Sequence, residues 1–216
     1  MIVHNFDHAH SILNKFISEI RDVDIQLDPM RFRRNIERIG EILSYELSQK
    51  LDYKNHIVPT PLGEKEMSLP VDNLVLCSVL RAGLPLHQGI LNYFDHIENA
   101  FISAYRHHKT PDEFEIKVEY LASPTLDGKT LILADPMLAT GKSLTAVYDA
   151  LIKLGKIDCI HLVAVIASKE GIELIQRHFP ENTHLWVATI DPTLNSKGYI
   201  VPGLGDAGDL AYGRKL

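Results

Sequence analysis

The stretch Leu131-Ile-Leu-Ala-Asp-Pro-Met-Leu-Ala-Thr-Gly-Lys-Ser143 decides the fold of this chain. Its first four residues suit a buried strand, Asp135 follows them, and a helical pattern begins after Thr140 and continues through Val147 and Leu151. A strand followed by a small, hydroxyl-bearing turn at a helix start binds phosphate, because unpaired N–H groups and the positive end of the helix dipole meet there. Asp135 repels phosphate and suits sugar hydroxyls or a bridging Mg²⁺ instead. We therefore interpret the stretch as a site for a phosphorylated ribose.

Two other interpretations of this stretch compete with a phosphate site. Thr, Gly and Ser also serve as ordinary caps at helix starts. Thr140-Gly141 taken alone does not distinguish an ordinary cap from a phosphate site. Gly141-Lys142-Ser143 also looks like the end of a nucleoside-triphosphate P-loop, but that motif needs a glycine at position 136. Pro136 stands there, with a fixed φ and no N–H to donate, so the P-loop is excluded.

The composition indicates a soluble globular protein with one core. The chain has 216 residues, of which 45% are hydrophobic, and this length is most simply one domain. Its net charge of -6 argues against nucleic-acid binding as the main function. Residues 1–8 lack the basic and apolar parts of a secretion signal, and no apolar run is long enough to cross a membrane. Cys77 and Cys159 lie in apolar runs and are expected to be reduced, so the cytoplasm is the simplest compartment.

The order of the predicted elements indicates an α/β fold with a mainly parallel, twisted sheet flanked by helices. Helices are predicted at about 8–21 and 29–50, and a projecting hairpin arm at about 56–69. Strands and helices then alternate, with strands at about 74–80, 97–104, 114–121, 130–133, 159–166 and 184–190 and helices at about 84–93, 141–154 and 169–178. Such sheets are covered on both faces and bind ligands at the carboxyl ends of their strands.

The chain resembles the type I phosphoribosyltransferases, and within them the uracil phosphoribosyltransferase branch. Leu131 to Ser143 is similar to their signature for phosphoribosyl pyrophosphate (PRPP), and the single acid at Asp135 agrees with the uracil branch. Three further blocks follow the family's order: Leu80-Arg81-Ala82-Gly83, Tyr105-Arg106, and Ile190-Asp191 with the glycine-rich run from Gly198 to Asp209. The similarity spans nearly the whole chain.

The resemblance implies an activity in pyrimidine salvage. In this reaction N1 of uracil displaces pyrophosphate from C1 of PRPP and gives UMP, with Mg²⁺ carried by PRPP and no metal held directly by the protein. It also implies one phosphoribosyltransferase domain over 1–216, with a core at about 70–190. N-terminal helices and the arm occupy about 1–69, and a uracil-binding hood occupies about 191–216.

The resemblance also implies which residues bind PRPP. Arginine suits this ligand because its planar guanidinium matches phosphate oxygens. The implied set is Arg81, Arg106, Asp135, Pro136, Met137, Leu138, Ala139, Thr140, Gly141, Lys142, Ser143 and Asp206. Lys142 departs from the family, which mostly has glycine there; its side chain either adds a charge to the phosphate or points to solvent. Asp206 and Arg106 are the candidates for a catalytic role, and the polar stretch 107–113 is expected to be a lid that excludes water.

The glycine-rich tail determines the base. Gly203-Leu-Gly-Asp-Ala-Gly208 matches a dinucleotide fingerprint, but eight residues after Gly208 leave no room for the βαβ unit that such a motif opens. Glycines let backbone approach a flat ligand closely, and uracil's N3–H flanked by two carbonyls suits a strip of backbone groups. By resemblance, Ile200, Gly205, Asp206 and Ala207 bind uracil. Cytosine reverses the pattern at N3 and position 4 and would leave buried groups unpaired.

The expected partners are uracil and PRPP, with no nucleic acid and no membrane, and the family suggests a homo-oligomer, either a dimer or a tetramer. GTP as an allosteric activator stays open, since no block identifies its site. The alternative function is a regulator on the same fold that senses nucleotides or binds RNA, because one fold hosts several functions. An RNA-binding chain should have a basic face, whereas this one is net acidic.

Overall fold

The structure is a computed structural model that describes residues 1–8, 10–71, 73–108 and 114–215, apart from the side chains of 105–108 and 114–116. The strands are β1 Ile2–Asn5, β2 Tyr53–Thr60, β3 Gly63–Pro70, β4 Leu74–Leu80, β5 Glu98–His108, β6 Phe114–Ala122, β7 Thr130–Ala134, β8 Met137–Leu138, β9 Cys159–Ser168, β10 His184–Asp191, β11 Thr193–Leu194 and β12 Ile200–Val201. The helices are α1 Leu13–Arg21, α2 Pro29–Ser48, α3 Gly83–Leu91, α4 Lys142–Leu151, α5 Lys169–His178 and α6 Ala207–Tyr212, with a 3₁₀ turn at Ile152–Leu154.

A mainly parallel sheet forms the centre of the protein, as the sequence predicts. Its strand order is β1-β10-β9-β7-β4-β5-β6, and β8 pairs with β9. Each pairing is parallel except that of β5 with β6. From β4 the chain adds β5 on one side and β7 on the other, so the direction of winding reverses between β4 and β7. A crevice opens outside the carboxyl ends of strands at such a reversal, which places the functional site there.

Two apolar cores cover the two faces of the sheet. One core joins α1, α2 and α3 with C-terminal residues such as Ile200 and Ala207. The other joins α4 and α5 to the opposite face through side chains such as Leu144 and Ile175. Both faces are therefore buried, which explains why the central strands are apolar along their length rather than alternating.

The N-terminal region departs from the sequence prediction. The helix expected at about 8–21 begins only at Leu13, and Ile2–Asn5 instead pairs with β10 as an edge strand. A four-residue strand is too short to give a periodic signal, and its place in the sheet depends on partner residues 182 positions away. The arm is confirmed as the antiparallel hairpin of β2 and β3. Among the described residues, no helix is long and apolar enough to cross a membrane.

A cluster of aromatic rings packs on β1, β9 and β10, away from the carboxyl edge. Trp186 Nε1 donates a hydrogen bond to His161 Nδ1 at 3.0 Å, and the ring of His4 stacks on Trp186 with centroids 3.8 Å apart. His4 Nε2 also lies 3.0 Å from His184 Nδ1. Burial, followed by the charges of His184 and His4, lowers the pKa of His161 to about 4. The imidazole of His161 is therefore neutral in the folded protein at neutral pH.

This neutral histidine predicts a loss of stability in mild acid. An unfolded histidine binds a proton near pH 6.5, whereas folded His161 does so only near pH 4, so the free energy of unfolding falls as pH drops through that window. The contribution of His161 is up to about 3 kcal/mol. His161→Gln keeps an acceptor for Trp186 and should lose less stability than the wild type between about pH 7.5 and about pH 5 in urea titrations. His10→Gln, in an exposed segment, is the control. Equal acid sensitivity of H161Q and the wild type would contradict this assignment.

Candidate active site

A cleft of about 830 Å³ lies at the carboxyl edge of the sheet. Its walls come from the loops that follow β4 and β7 and from the hood, the C-terminal segment that begins at Asp191. The structure brings together most of the residues expected to bind PRPP and uracil: Arg81, Asp135, Met137, Leu138, Ala139, Thr140, Gly141, Ser143, Ile200, Gly205, Asp206 and Ala207. Three separate groups along the chain, at Arg81, at 135–143 and at 200–207, therefore face one space.

Three of the expected residues are placed differently. Pro136 does not line the cleft, because its carbonyl oxygen accepts hydrogen bonds from the N–H groups of Val165 and Ile166 on β9. Lys142 does not line it either; it is the exposed first residue of α4, which agrees with a side chain that points to solvent. The backbone of Arg106 pairs with Ile116 across β5 and β6, and its side chain lies outside the described part. The predicted lid at 107–113 also lies largely outside it.

The phosphate loop, residues 135–143, begins with a reversal of the chain. The sequence predicts only a turn between β7 and α4, but the short strand β8 forms there. It pairs with Ile166 and Ala167 of β9. Gly141 precedes α4 with a φ of 77°, a value that side-chain-bearing residues rarely adopt, and no side chain caps the helix start there. Apart from a 3.4 Å contact from Lys142 N–H to Thr140 Oγ1, the first N–H groups of α4 are available to an anion.

A neighbouring helix start holds this loop in place. Ser168, fully buried at the end of β9, donates its hydroxyl to the carbonyl oxygen of Ala139 at 2.6 Å and accepts from the N–H of Gly171 at 2.9 Å. Gly171 packs so closely that a Cβ on it would collide with the same carbonyl of Ala139. Contacts from outside the cleft thus hold the Ala139 peptide in place. The N–H groups that follow it at the start of α4 therefore keep a fixed orientation relative to the cleft.

Asp135 supplies an acid at the floor of the cleft. Its side chain is buried, and one of its oxygens accepts from the N–H of Met137 at 3.2 Å. Burial raises the pKa of Asp135 to about 7, and the hydrogen bond from Met137 opposes that shift only in part. A carboxyl group that titrates near neutral pH can both donate to and accept from sugar hydroxyls, which fits the predicted contact with the ribose diol.

Arg81 stands at the opposite wall, just after β4. Its Nη2 donates to Asp209 Oδ1 at 3.4 Å and to the carbonyl oxygen of Gly213 at 3.2 Å. The side chain is about two-fifths exposed and contacts the hood directly. Both partners are weak, long contacts that a phosphate group can replace.

The hood is fixed to the sheet by a buried ion pair. Arg21, the last residue of α1, places both Nη atoms 2.8 Å from the two carboxylate oxygens of Asp191, and it also donates to the carbonyl of Gly203 at 3.0 Å. Asp191 Oδ2 accepts from the N–H of Gly203 at 2.8 Å. Burial acts to raise the pKa of Asp191, but the hydrogen bonds from Arg21 and Gly203 hold it below its usual value. Asp191, part of a family block, is therefore an anchor and not a ligand contact.

Sequence reasoning missed several residues that shape the site. The sequence allows Ser168 to be recognised as a helix N-cap. It gives no sign that the hydroxyl of Ser168 also contacts the carbonyl of Ala139. Arg21 and Lys215 carry no signal, since neither cation belongs to a recognisable motif. Tyr199 and Gly208 line the cleft within the block that was already identified. Arg33, on α2, donates to the carbonyl of Ala211 at 2.6 Å and so helps hold α6 of the hood.

Comparisons with known proteins agree with this architecture. The fold is that of the type I phosphoribosyltransferases: a hypoxanthine phosphoribosyltransferase from Staphylococcus aureus superposes with a TM-score of 0.53 at 15% identity, covering 87% of this chain and 84% of that one. A solved protein from Aquifex aeolicus superposes with a TM-score of 0.86 at 29% identity, covering 97% and 98%. A uracil phosphoribosyltransferase from Porphyromonas gingivalis is 55% identical over 96% of each chain. The family model for uracil phosphoribosyltransferase matches residues 8–214, and the chain belongs to that family.

The helix cap that holds the phosphate loop yields a prediction. Ser168→Ala removes the bond to the Ala139 carbonyl and the cap of α5, so we expect a loss of about 1–2 kcal/mol in the free energy of unfolding together with a severalfold rise in KM for PRPP. Asp28→Ala is the matched control, since Asp28 caps α2 through Met30 and Arg31 and does not line the cleft. It should lose similar stability and keep its KM. Equal changes in KM for the two variants would show that Ser168 acts through stability alone.

Proposed function

We propose that this chain transfers the phosphoribosyl group of PRPP to N1 of uracil and releases UMP and pyrophosphate. The observation that carries the proposal is the single cleft shared by the phosphate loop at 135–143 and the glycine-rich hood. Membership of the uracil phosphoribosyltransferase family supports the same reaction in pyrimidine salvage.

The geometry supports a mechanism that needs no nucleophilic side chain. The bond between C1 of the ribose and the pyrophosphate oxygen breaks, the bond between C1 and N1 of uracil forms, and N1 loses its proton. The N–H groups at the start of α4 would hold the 5′-phosphate, and Arg81 would hold the pyrophosphate. Orientation and stabilisation of the leaving group then supply the rate enhancement. Arg106 stays a candidate for the same task.

The hood would supply the uracil contacts. Gly205, Asp206 and Ala207 line the cleft together with the buried Ile200, and we propose that their backbone groups contact the base. Asp206 Oδ1 accepts from the N–H of Asp209 at 3.0 Å, so this carboxylate caps α6 and fixes the backbone around it. That role makes Asp206 a positioning residue for the base, while removal of the N1 proton by its other oxygen stays a hypothesis.

Magnesium fits this site as a companion of the substrate. Among the described residues, no group of three or more His, Cys, Asp or Glu side chains is placed to hold a metal ion. Asp135 is the acid that faces the ribose side of the cleft, and PRPP has the diol and pyrophosphate oxygens that Mg²⁺ prefers. When bound, the ion would neutralise charge on the leaving group.

The regulatory alternative has less support. A chain that binds RNA through this fold needs a basic surface, whereas this chain has a net charge of -6 and belongs to an enzyme family. The division into a core at about 70–190 with flanking segments is proposed on the same grounds, and the cytoplasmic location stays a prediction.

Turnover with different bases tests the function. We expect UMP from uracil, PRPP and Mg²⁺, and at least about 10³-fold lower kcat/KM with cytosine, because cytosine leaves buried hydrogen-bonding groups unpaired. Product formation is measured with radiolabelled bases, with hypoxanthine in parallel and with GTP present or absent. A chain that binds PRPP but makes no nucleotide from any base, with or without GTP, would favour the regulatory alternative.

We also propose that the chain forms a homo-oligomer through its arm. The hairpin of β2 and β3 exposes Ile57 and Leu62, and an isolated two-stranded hairpin is marginally stable without a surface to cover it. Light scattering should give a dimer or tetramer for the wild type and a lower mass for Ile57→Glu combined with Leu62→Glu. Ile152→Glu, at an exposed position away from the arm, should keep the wild-type mass. A monomeric wild type would contradict the proposal.

A further inference from the structure

We propose that Lys215 binds the pyrophosphate group of PRPP together with Arg81. This inference rests on the proposed function and adds a residue that the sequence patterns do not point to. The tail after α6, residues 213–215, folds back along the mouth of the cleft, and Lys215 lines it. Its ammonium lies 3.6 Å from Asp206 Oδ2.

The position of Lys215 is on the pyrophosphate side of the cleft. The carbonyl of Gly213, two residues earlier, already accepts a hydrogen bond from Arg81. Gly208 lies close to both Asp206 and Arg81. A Cβ built on this glycine would be 3.2 Å from Asp206 Oδ1 and 3.9 Å from Arg81 Nη2. Arg81 and the acid that holds Lys215 therefore face the same small residue, so one ligand group can reach both cations.

The charges of the cleft require more than one cation. Among the described side chains that line it, the acids are Asp135 and Asp206 and the basic residues are Arg81 and Lys215. Pyrophosphate carries several negative charges; bound Mg²⁺ would neutralise part of them, and Arg81 supplies one further positive charge from the described wall. A second cation at the same wall supplies charge-assisted hydrogen bonds to the oxygens that Arg81 does not reach.

Lys215 is also suited to an exchange of partners. Its side chain is 62% exposed, so its pair with Asp206 is solvent-screened and easily broken. The ammonium sits on a flexible four-carbon stem with three donors, which lets it turn from the carboxylate to a phosphate oxygen. Asp206 remains fixed meanwhile, because its other oxygen caps α6.

Calorimetric titration with inorganic pyrophosphate and with PRPP, each with Mg²⁺, tests the inference. We expect Lys215→Met to bind both ligands about five- to thirty-fold more weakly than the wild type, and to raise KM for PRPP by a similar factor with little change in KM for uracil. Lys215→Arg should retain most of the affinity. Arg214→Met is the matched control: Arg214 is the exposed neighbour of Lys215 with the same charge, and it does not line the cleft. Thermal unfolding of all variants should coincide.

The outcomes separate the two proposals. A wild type that binds PRPP and makes UMP, with K215M binding equally well, overturns the role of Lys215 alone. An equal loss of PRPP affinity in R214M also overturns it, because Lys215 would then act only through net charge. A change in KM for uracil instead of PRPP overturns it as well, because Lys215 would then act through Asp206. A wild type that binds no PRPP contradicts the proposed function itself.

Discussion

The buried ion pair of Arg21 and Asp191 is the interaction on which the site depends most. It joins three parts of the chain: the end of α1, the end of β10 and the turn of the hood at Gly203. Asp191 is only 5% exposed, so removing Arg21 would leave a buried charge with one remaining donor, a change that typically costs about 3–5 kcal/mol. An apolar pair could match its stability, but it would not direct the carbonyl and N–H of Gly203 at once. We therefore interpret the pair as fixing the orientation of the hood.

A second connection places the phosphate loop relative to the same frame. The loop follows β7, but its Ala139 carbonyl is held by Ser168 at the end of β9, and Gly171 of α5 packs directly against it. The next strand in the sheet is β10, which ends in Asp191. Phosphate loop and hood are thus attached to the ends of adjacent strands. Since packed strands do not shift past each other easily, the sheet sets the distance between the phosphate loop and the hood.

The parts of this structure that the sequence predicts are those whose signals are local. The strand, acid and helix start at 131–143 can be recognised because each residue type acts on its immediate neighbours. Pro136 was assigned to the ligand along with the rest of that run, yet its carbonyl faces β9; a one-dimensional pattern does not say which side of a loop faces the cleft. Ser168, Arg21 and Lys215 act on residues 29, 170 and 9 positions away, and no periodicity or motif encodes such pairs. β1 was missed for the same reason.

Each of the two cations that line the described part of the cleft is paired with an acid, and we expect this pairing to affect how an anionic substrate binds. Arg81 is paired with Asp209 and Lys215 with Asp206, all four side chains being at least three-tenths exposed. Without those acids the two cations would repel each other. With them, each cation forms a weak, solvent-screened ion pair. The two carboxylate contacts are long, at 3.4 and 3.6 Å. A phosphate group forms shorter and stronger hydrogen bonds, so we expect each cation to exchange its carboxylate partner for a phosphate oxygen. Asp206 caps α6 and Asp209 lies in its first turn, next to the backbone that we propose binds the base. Binding of the pyrophosphate would release them from the cations, so occupation of one half of the cleft changes the electrostatic surroundings of the other.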